Sequence, residues 1–570
     1  MTPLDSRRQT GAGALLDGPG AALEVAVPEP LRPAAAAAWR RRARALADAL
    51  GWADAPLVAR PFPRGLSLAV GAPVDALYTA ADLNEAAWAA ARTEVEGTDA
   101  PDVQAQANRL RQRAADEADP ALAALVAEAE RRGVPLVWDD EAVTVGLGAR
   151  GRTWPAGALP RPDVVDWDGL GAVPTALVTG TNGKSTTVRM VAGMARAAGE
   201  TVGTCSTDAV TVGGDTVERG DFSGPQGART VVRDRHVTVA VLETARGGLL
   251  RRGLPVPRVT AAALTNVADD HLGEYGVETV EALGDVKMIV AKALGPGGVL
   301  VAPADEAQAA AAVRRQLDVL AARGVRVDWT ALDPDAPDLP AGGRLAAAVV
   351  GGQVALADGA GGWRALCAVE ELPAALGGAA RHVVRNALTA AALGHALGLP
   401  NGAVAAGLRA FRSDADDNPG RANRFAVGGA TVLVDYAHNA HGLRALAETS
   451  AHWPARRRLV MAGAPGDRSD RDLAAVAETL ARFGADRFVL VDLPNYLRGR
   501  SPGEVPARLA DGLRRSGVAE AAVVRLDSPE AGARDALGWC GPDDLAVLVT
   551  LDERDAVLAL VHDAAARGGV

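Results

Sequence analysis

The residues best placed to do chemistry are Gly180, Thr181, Asn182, Gly183, Lys184, Ser185, Thr186 and Thr187, which follow the apolar run PTALVTG and open a helix-like run ending at Gly199. Glycines in such a turn let backbone N–H groups point inward on phosphate oxygens, and a helix N-terminus adds partial positive charge. Lys184 is long enough to reach outer phosphates, and Ser185 or Thr186 offers a hydroxyl that can hold Mg²⁺. The run therefore predicts an ATP-binding loop. Its spacing is shorter than the usual phosphate loop, which would need glycine at 178, where Val178 stands. A plain glycine turn capping a helix would explain the glycines but not the lysine and the two hydroxyls. Glu243 ends another apolar run, and a carboxylate at a strand end beside a phosphate loop is a natural Mg²⁺ ligand.

The elements that must position these groups alternate from Pro174 onward. Apolar runs at 237–248, 257–271 and 297–305 end in polar residues and are separated by helix-like stretches. That alternation predicts an α/β fold with a mainly parallel sheet, whose ligands collect at the carboxyl ends of the strands. A polar segment at 413–420 marks a boundary. Beyond it, strands are expected within 431–439, 457–467, 487–493, 521–527 and 544–553, forming a Rossmann-like domain. Residues 1–170 read as a mixed α/β domain of unassigned role, with helices at 33–50 and 103–132, strands at 66–70 and 143–147, and a Pro-rich connector from Trp154 to Pro174. The expected units are thus 1–170, a P-loop central domain at 171–418, and 419–570.

Further motifs follow the loop in order: Asn266 to His271, Arg381 to Leu388, Asn418-Pro419-Gly420-Arg421, Asp435-Tyr436-Ala437-His438-Asn439, and Gly466 to Asp470. With the short GTNGKST loop, they resemble the Mur ligase superfamily. Within it, Ser206 to Asp208, Arg219 to Pro225, Ala228-Arg229, Leu242 to Gly248, Asn266 to Gly273 and Ala464 to Arg468 are similar to the Mur-like C-terminal half of the cyanophycin synthetases. The resemblance spans roughly 171–570. Too few residues precede it for that family's ATP-grasp domain. It implies that His271 assists a second Mg²⁺, and that Lys287, with Lys292 as competitor, is carbamylated and helps hold that ion. It also implies that Asn386 touches the adenine, that Arg421 meets the γ-phosphate or an acyl phosphate, and that Asp435 contacts the nucleotide. The implied activity is ATP-dependent amide-bond formation between an amino acid or acidic peptide and an amine. A P-loop kinase or NTPase, or an inactive partner of a larger synthetase, stay as alternatives.

Bulk composition narrows the field. The chain has 570 residues, about half of them apolar, and a net charge of −10 that gives no basic footprint for a nucleic acid. The densest basic run, Arg40 to Arg44, reads as a solvated helix face. Three widely spaced cysteines show no disulfide framework or metal spacing, as in a reducing compartment. No signal-like segment and no apolar run of spanning length is present, so a cytoplasmic protein with no membrane partner is expected. Whether it forms a homo-oligomer is left open.

Overall fold

The computed structural model describes residues 1–98, 101–270, 272–335, 338–340, 343–414 and 417–568. The chain is α/β, and its largest sheet has 11 strands. The parallel part runs, in spatial order, Val202–Cys205, Val239–Glu243, Thr175–Thr179, Val259–Leu264, Leu294–Pro303, Arg326–Ala331 and Arg344–Val350. Antiparallel strands close both edges. Thr175–Thr179 is buried along its whole length, as expected for a strand covered on both faces. Ala176 and Val178 pack towards helices Lys184–Ala197, Arg381–Ala396 and Asn401–Ala410. Leu177 packs with helices Pro225–Arg233, Arg246–Arg252 and Val280–Lys287. The strands flanking Thr175–Thr179 belong to later parts of the chain, so a crevice opens at its carboxyl end.

The C-terminal unit has six strands, ordered Asn423–Val427, Ala430–Asp435, Leu545–Val549, Arg458–Ala462, Arg487–Val491 and Val523–Leu526. Only the first is antiparallel to its neighbour. Leu545–Val549 enters between Ala430–Asp435 and Arg458–Ala462, which creates a second crevice at their carboxyl ends.

The first residues build an antiparallel sheet ordered Thr2–Gln9, Gly20–Ala26, Gly65–Gly71 and Leu57–Phe62. Helices Arg32–Ala49 and Leu77–Glu96 cover it around the buried Trp39, whose indole N–H donates to Asn84 Oδ1 at 3.0 Å. A small sheet of Leu136–Trp138, Ala142–Val145 and Arg152–Pro155 follows. The single helix expected over 103–132 is two helices, Val103–Glu117 and Pro120–Arg132. The break has a local cause. Pro120 lacks a donor and cannot continue a helix, while Asp119 caps the next one by accepting from Ala121 and Leu122 N–H at 3.0 Å.

The first strand docks on the central unit. Arg7 Nε donates to Leu250 O at 2.7 Å, Thr10 N to Arg252 O at 2.9 Å, and Leu254 N to Ala12 O at 2.7 Å. The N-terminal sheet is thereby held along helix Arg246–Arg252. Among the described residues no helix is long and apolar enough to cross a membrane.

Candidate active site

The loop Gly180–Lys184 sits at the carboxyl end of Thr175–Thr179, and its shape is fixed by the neighbouring strand end. Thr181 N donates to Asn266 O at 3.1 Å and Asn182 N to Asn266 Oδ1 at 2.9 Å. Thr265 Oγ1 and Asn266 Nδ2 donate to Asn182 O at 2.6 and 3.0 Å. Two glycines are sterically required. Gly180 has φ 151°, and a Cβ there would lie 1.8 Å from Thr265 Oγ1. Gly183 has φ 82°, and its Cβ would lie 2.4 Å from Asn386 Oδ1. The close approach of Asn386 to Gly183 thus depends on the missing side chain.

Lys184 Nζ donates to Thr181 O at 3.0 Å and stands 3.9 Å from Glu243 Oε1. Glu243 is buried and accepts from Thr207 Oγ1 at 2.9 Å. Ser185 Oγ accepts from Arg421 Nη2 at 3.0 Å, and Thr186 lines the same cleft. This donor set fits Mg²⁺ held mainly by phosphate oxygens and water. Mg²⁺ typically takes only one or two carboxylates from the protein, and no group of three His, Cys, Asp or Glu gathers among the described residues.

Lys287 is buried in the cleft wall. Burial and the nearby charge of Lys184 press its ammonium down to about 7, with Asp270 opposing. Lys292 instead binds Gly13 O at 2.8 Å and Asp17 Oδ1 at 2.6 Å, in the N-terminal segment. His271 lies outside the described residues.

Besides the bond from Arg421 to Ser185, further contacts join the C-terminal unit to the central one. Asp208 is a hub for three arginines: Arg189 at 2.7 Å, Arg421 at 3.0 Å, and Arg554. Burial alone would raise its carboxyl, but the charges of Arg421, Arg189 and Arg554 pull it down to about 2. Asn439 exchanges hydrogen bonds with the Asn182 side chain at 3.2 Å, and His441 Nδ1 lies 3.0 Å from Asn182 Nδ2. Arg468 Nη2 donates to Asp270 Oδ1 at 2.6 Å.

Asp435 has both oxygens engaged, accepting from Ala422 N at 2.8 Å and Ala437 N at 2.7 Å. Burial pushes its carboxyl up to about 6 against those donors. It ties the turn carrying Arg421 to the strand Ala430–Asp435. Ala422 is held there at φ 54°, a conformation an alanine keeps only when its surroundings fix it. Arg421 also lies 5.2 Å over the Tyr436 ring.

Sequence reasoning singled out Lys184, Glu243, Lys287, Asn386 and Arg421, and these line one cleft of 1290 Å³. It missed the roles of Asp208, Arg189, Arg554 and Arg468. Asp208 and Arg468 fall inside stretches already noted as family-like, which was the available signal. Arg554 follows a strand with no spacing cue.

A phosphate loop at the switch point of one parallel sheet, closed over by arginines from a second, defines a nucleotide-using α/β enzyme built from two facing units. The Mur ligase middle domain matches residues 178–394, and the Mur ligase glutamate ligase domain matches residues 420–550. The chain belongs to the Mur ligase superfamily. It is 38% identical to a cyanophycin synthetase of Synechocystis sp. over 63% of its own length and 40% of that protein's. It therefore spans about two fifths of such relatives. It is 28% identical to the UDP-N-acetylmuramoyl-L-alanyl-D-glutamate–2,6-diaminopimelate ligase of Bradyrhizobium diazoefficiens, covering 64% of this chain and 72% of that one. The solved structure of E. coli FolC in complex with DHPP and ADP aligns with a TM-score of 0.49 at 20% identity, over 69% of this chain and 89% of the other.

Proposed function

We propose that this chain is an ATP-dependent amide-bond ligase working through an acyl phosphate. The observation that carries the reading is Arg421. It leaves the opening turn of the C-terminal unit and bonds both Ser185 of the phosphate loop and Asp208 of the central unit. A second unit that places a cation on the phosphate loop suits chemistry in which a reactive phosphorylated intermediate must be shielded from water.

The steps are those that the family likeness implies, set on that geometry. The backbone of Gly180–Gly183 and Lys184 hold the ATP phosphates, while Asn386 against Gly183 marks the nucleoside side. A substrate carboxylate attacks the γ-phosphorus and ADP departs, leaving the acyl phosphate. Arg421 and Lys184 stabilise the charge that develops between the transferring oxygens. A neutral amine then attacks the acyl carbon, giving the amide and releasing phosphate. Bound Mg²⁺ would neutralise phosphate oxygens, with Ser185 and Glu243 as its protein holders. Lys287, whose ammonium is pressed down to about 7 by burial, would lose its proton and add CO₂, releasing a second proton. The resulting carbamate would turn a buried cation into an anionic ligand. The family likeness supports an amino acid or acidic peptide as carboxylate donor, with a basic amino acid as one amine.

A one-domain phosphotransferase would need the loop but not Arg421, Asp208 and Arg554. An inactive scaffold would have no use for Lys184, Glu243 and Lys287 together in one cleft. The test is a screen of amino acid and short-peptide pairs for ADP release, with products identified by mass. ADP release that requires both a carboxylate and an amine, matched by an amide product, is expected. Equal ADP release without any amine, and no amide, would remove the ligase reading.

A further inference from the structure

The cleft does not end at the phosphate loop. Its lining includes Asp5 to Arg8 of the first strand, Thr2–Gln9, and Arg251 and Arg252 at the end of helix Arg246–Arg252, where Arg252 touches Arg8. Charged groups along this stretch are unevenly matched. Its carboxylates are all engaged. Asp5 pairs with Arg7 at 2.6 Å, Asp82 faces Arg113 at 3.5 Å, and Glu85 accepts from Ser6 at 2.5 Å. Asp221 accepts from Ser223 at 2.6 Å, and Glu274 pairs with Arg246 at 2.9 Å.

Arg8, Arg251 and Arg252 pair with no carboxylate among the described residues. Arg8 Cζ stands 3.6 Å from the centre of the Tyr78 ring. Arg251 Nε donates to Gly247 O at 3.1 Å, which leaves its two terminal nitrogens for other acceptors. The missing side chain at Gly247 makes room, since a Cβ would come within 3.3 Å of Arg251 Nη2. Arg252 Nη1 donates to Arg8 O at 3.2 Å, so this guanidinium ties the helix end to the backbone of the first strand. Partial burial, then the charge of Arg8, and also that of Arg251, disfavour the Arg252 cation, with Tyr78 and Asp140 offsetting part. Guanidinium groups gathered without a directly paired carboxylate are poised to take one, and their planar forks match carboxylate and phosphate.

We infer that Arg8, Arg251 and Arg252 form an anion subsite that binds negative charge on the ligation substrate away from its reacting carboxylate. The inference rests on the ligase reading above. Helix Arg246–Arg252 supplies a ruler. Arg246 stands near the reacting end, where its charge is felt by Lys287, and Arg252 lies about 9 Å further along the helix axis. That is the reach of two to three extended residues. A short peptide with carboxylate side chains satisfies it, and so does a substrate carrying a phosphate at that distance. The N-terminal sheet thereby becomes the specificity wall of the cleft, since Arg8 comes from its edge strand.

The experiment is calorimetric titration of the full chain with tri-L-aspartate, with UDP as the phosphate-bearing probe and tri-L-asparagine as the neutral control. Wild type should bind tri-L-aspartate or UDP, but not tri-L-asparagine. Arg251→Gln, at an exposed helix position, should weaken binding about 10-fold, and Arg8→Gln with Arg251→Gln about 100-fold. Lys184→Ala should keep tri-L-aspartate binding while losing that of an ATP analogue. Binding of tri-L-aspartate identifies a carboxylate-bearing substrate, and binding of UDP alone a phosphate-bearing one. Failure of wild type to bind either probe, or equal binding by wild type and both variants, overturns the subsite. Neither result touches the ligase reading, which falls only to the coupled ADP and amide assay.

Discussion

Lys184→Ala should lower ATP turnover by about 10³-fold or more while leaving the fold intact. The side chain makes one hydrogen bond, to Thr181 O, and a loose pairing with Glu243 at 3.9 Å. Removing both costs about 1 kcal/mol of stability, because Glu243 keeps Thr207 as a partner. The effect on chemistry is far larger. In the proposed reaction Lys184 is the cation that the loop itself brings to the phosphates, whereas Arg189 on the same helix is held by Asp208. Steady-state ADP release and a thermal melt read the two effects separately. Turnover within about 10-fold of wild type would mean that the loop does not serve phosphoryl transfer. A collapsed melt would mean that Lys184 is structural.

Asp208→Asn should produce the second large effect. It leaves Arg189, Arg421 and Arg554 facing one another with side chains 20%, 15% and 20% exposed, and with no anion between them. Breaking a buried charge group in this way costs about 3–5 kcal/mol. It also frees Arg421 from its one carboxylate partner among the described residues, so turnover should fall by about 10²-fold even where the fold persists. The sign of the pH effect follows from the depressed carboxyl. Its folded value, about 2, lies below the unfolded one near about 4, so the stability it adds is fully present above about 4 and lost as pH falls through about 2. That contribution is about 2 kcal/mol. Urea melts of wild type should weaken over this window more steeply than those of Asp208→Asn. Parallel pH profiles, with unchanged turnover, would show that the arginines do not depend on Asp208.

Legibility in the sequence followed locality. The loop was readable because its glycines, lysine and hydroxyls are contiguous and sit between a strand and a helix. Glu243 was readable because strand ends face ligands in parallel sheets. Lys287 and Arg421 came from family likeness rather than from spacing. Asp208 with Arg554 was not readable, because the pair joins the central unit to the C-terminal one and only the packing of those units creates it. The strands Arg344–Val350 and Gln353–Ala357, towards one side of the large sheet, were also missed. Their runs RLAAAVV and QVALA are rich in alanine, a weak strand former, and pairing with neighbouring strands makes them strands. The break at Asp119-Pro120 carried its own cap and proline signal, and it was hidden by the helical periodicity on either side. The docking of the N-terminal sheet was not readable, because Thr10 and Ala12 meet Arg252 and Leu254 only once the units pack.

The central claim is that a substrate carboxylate becomes an acyl phosphate in the cleft between Lys184 and Arg421. The most direct measurement uses an accepted substrate whose carboxylate oxygens are ¹⁸O. The account predicts one ¹⁸O in the phosphate released for each amide formed, because the attacking carboxylate oxygen leaves with the phosphorus. Phosphate without label, at full amide yield, would contradict it.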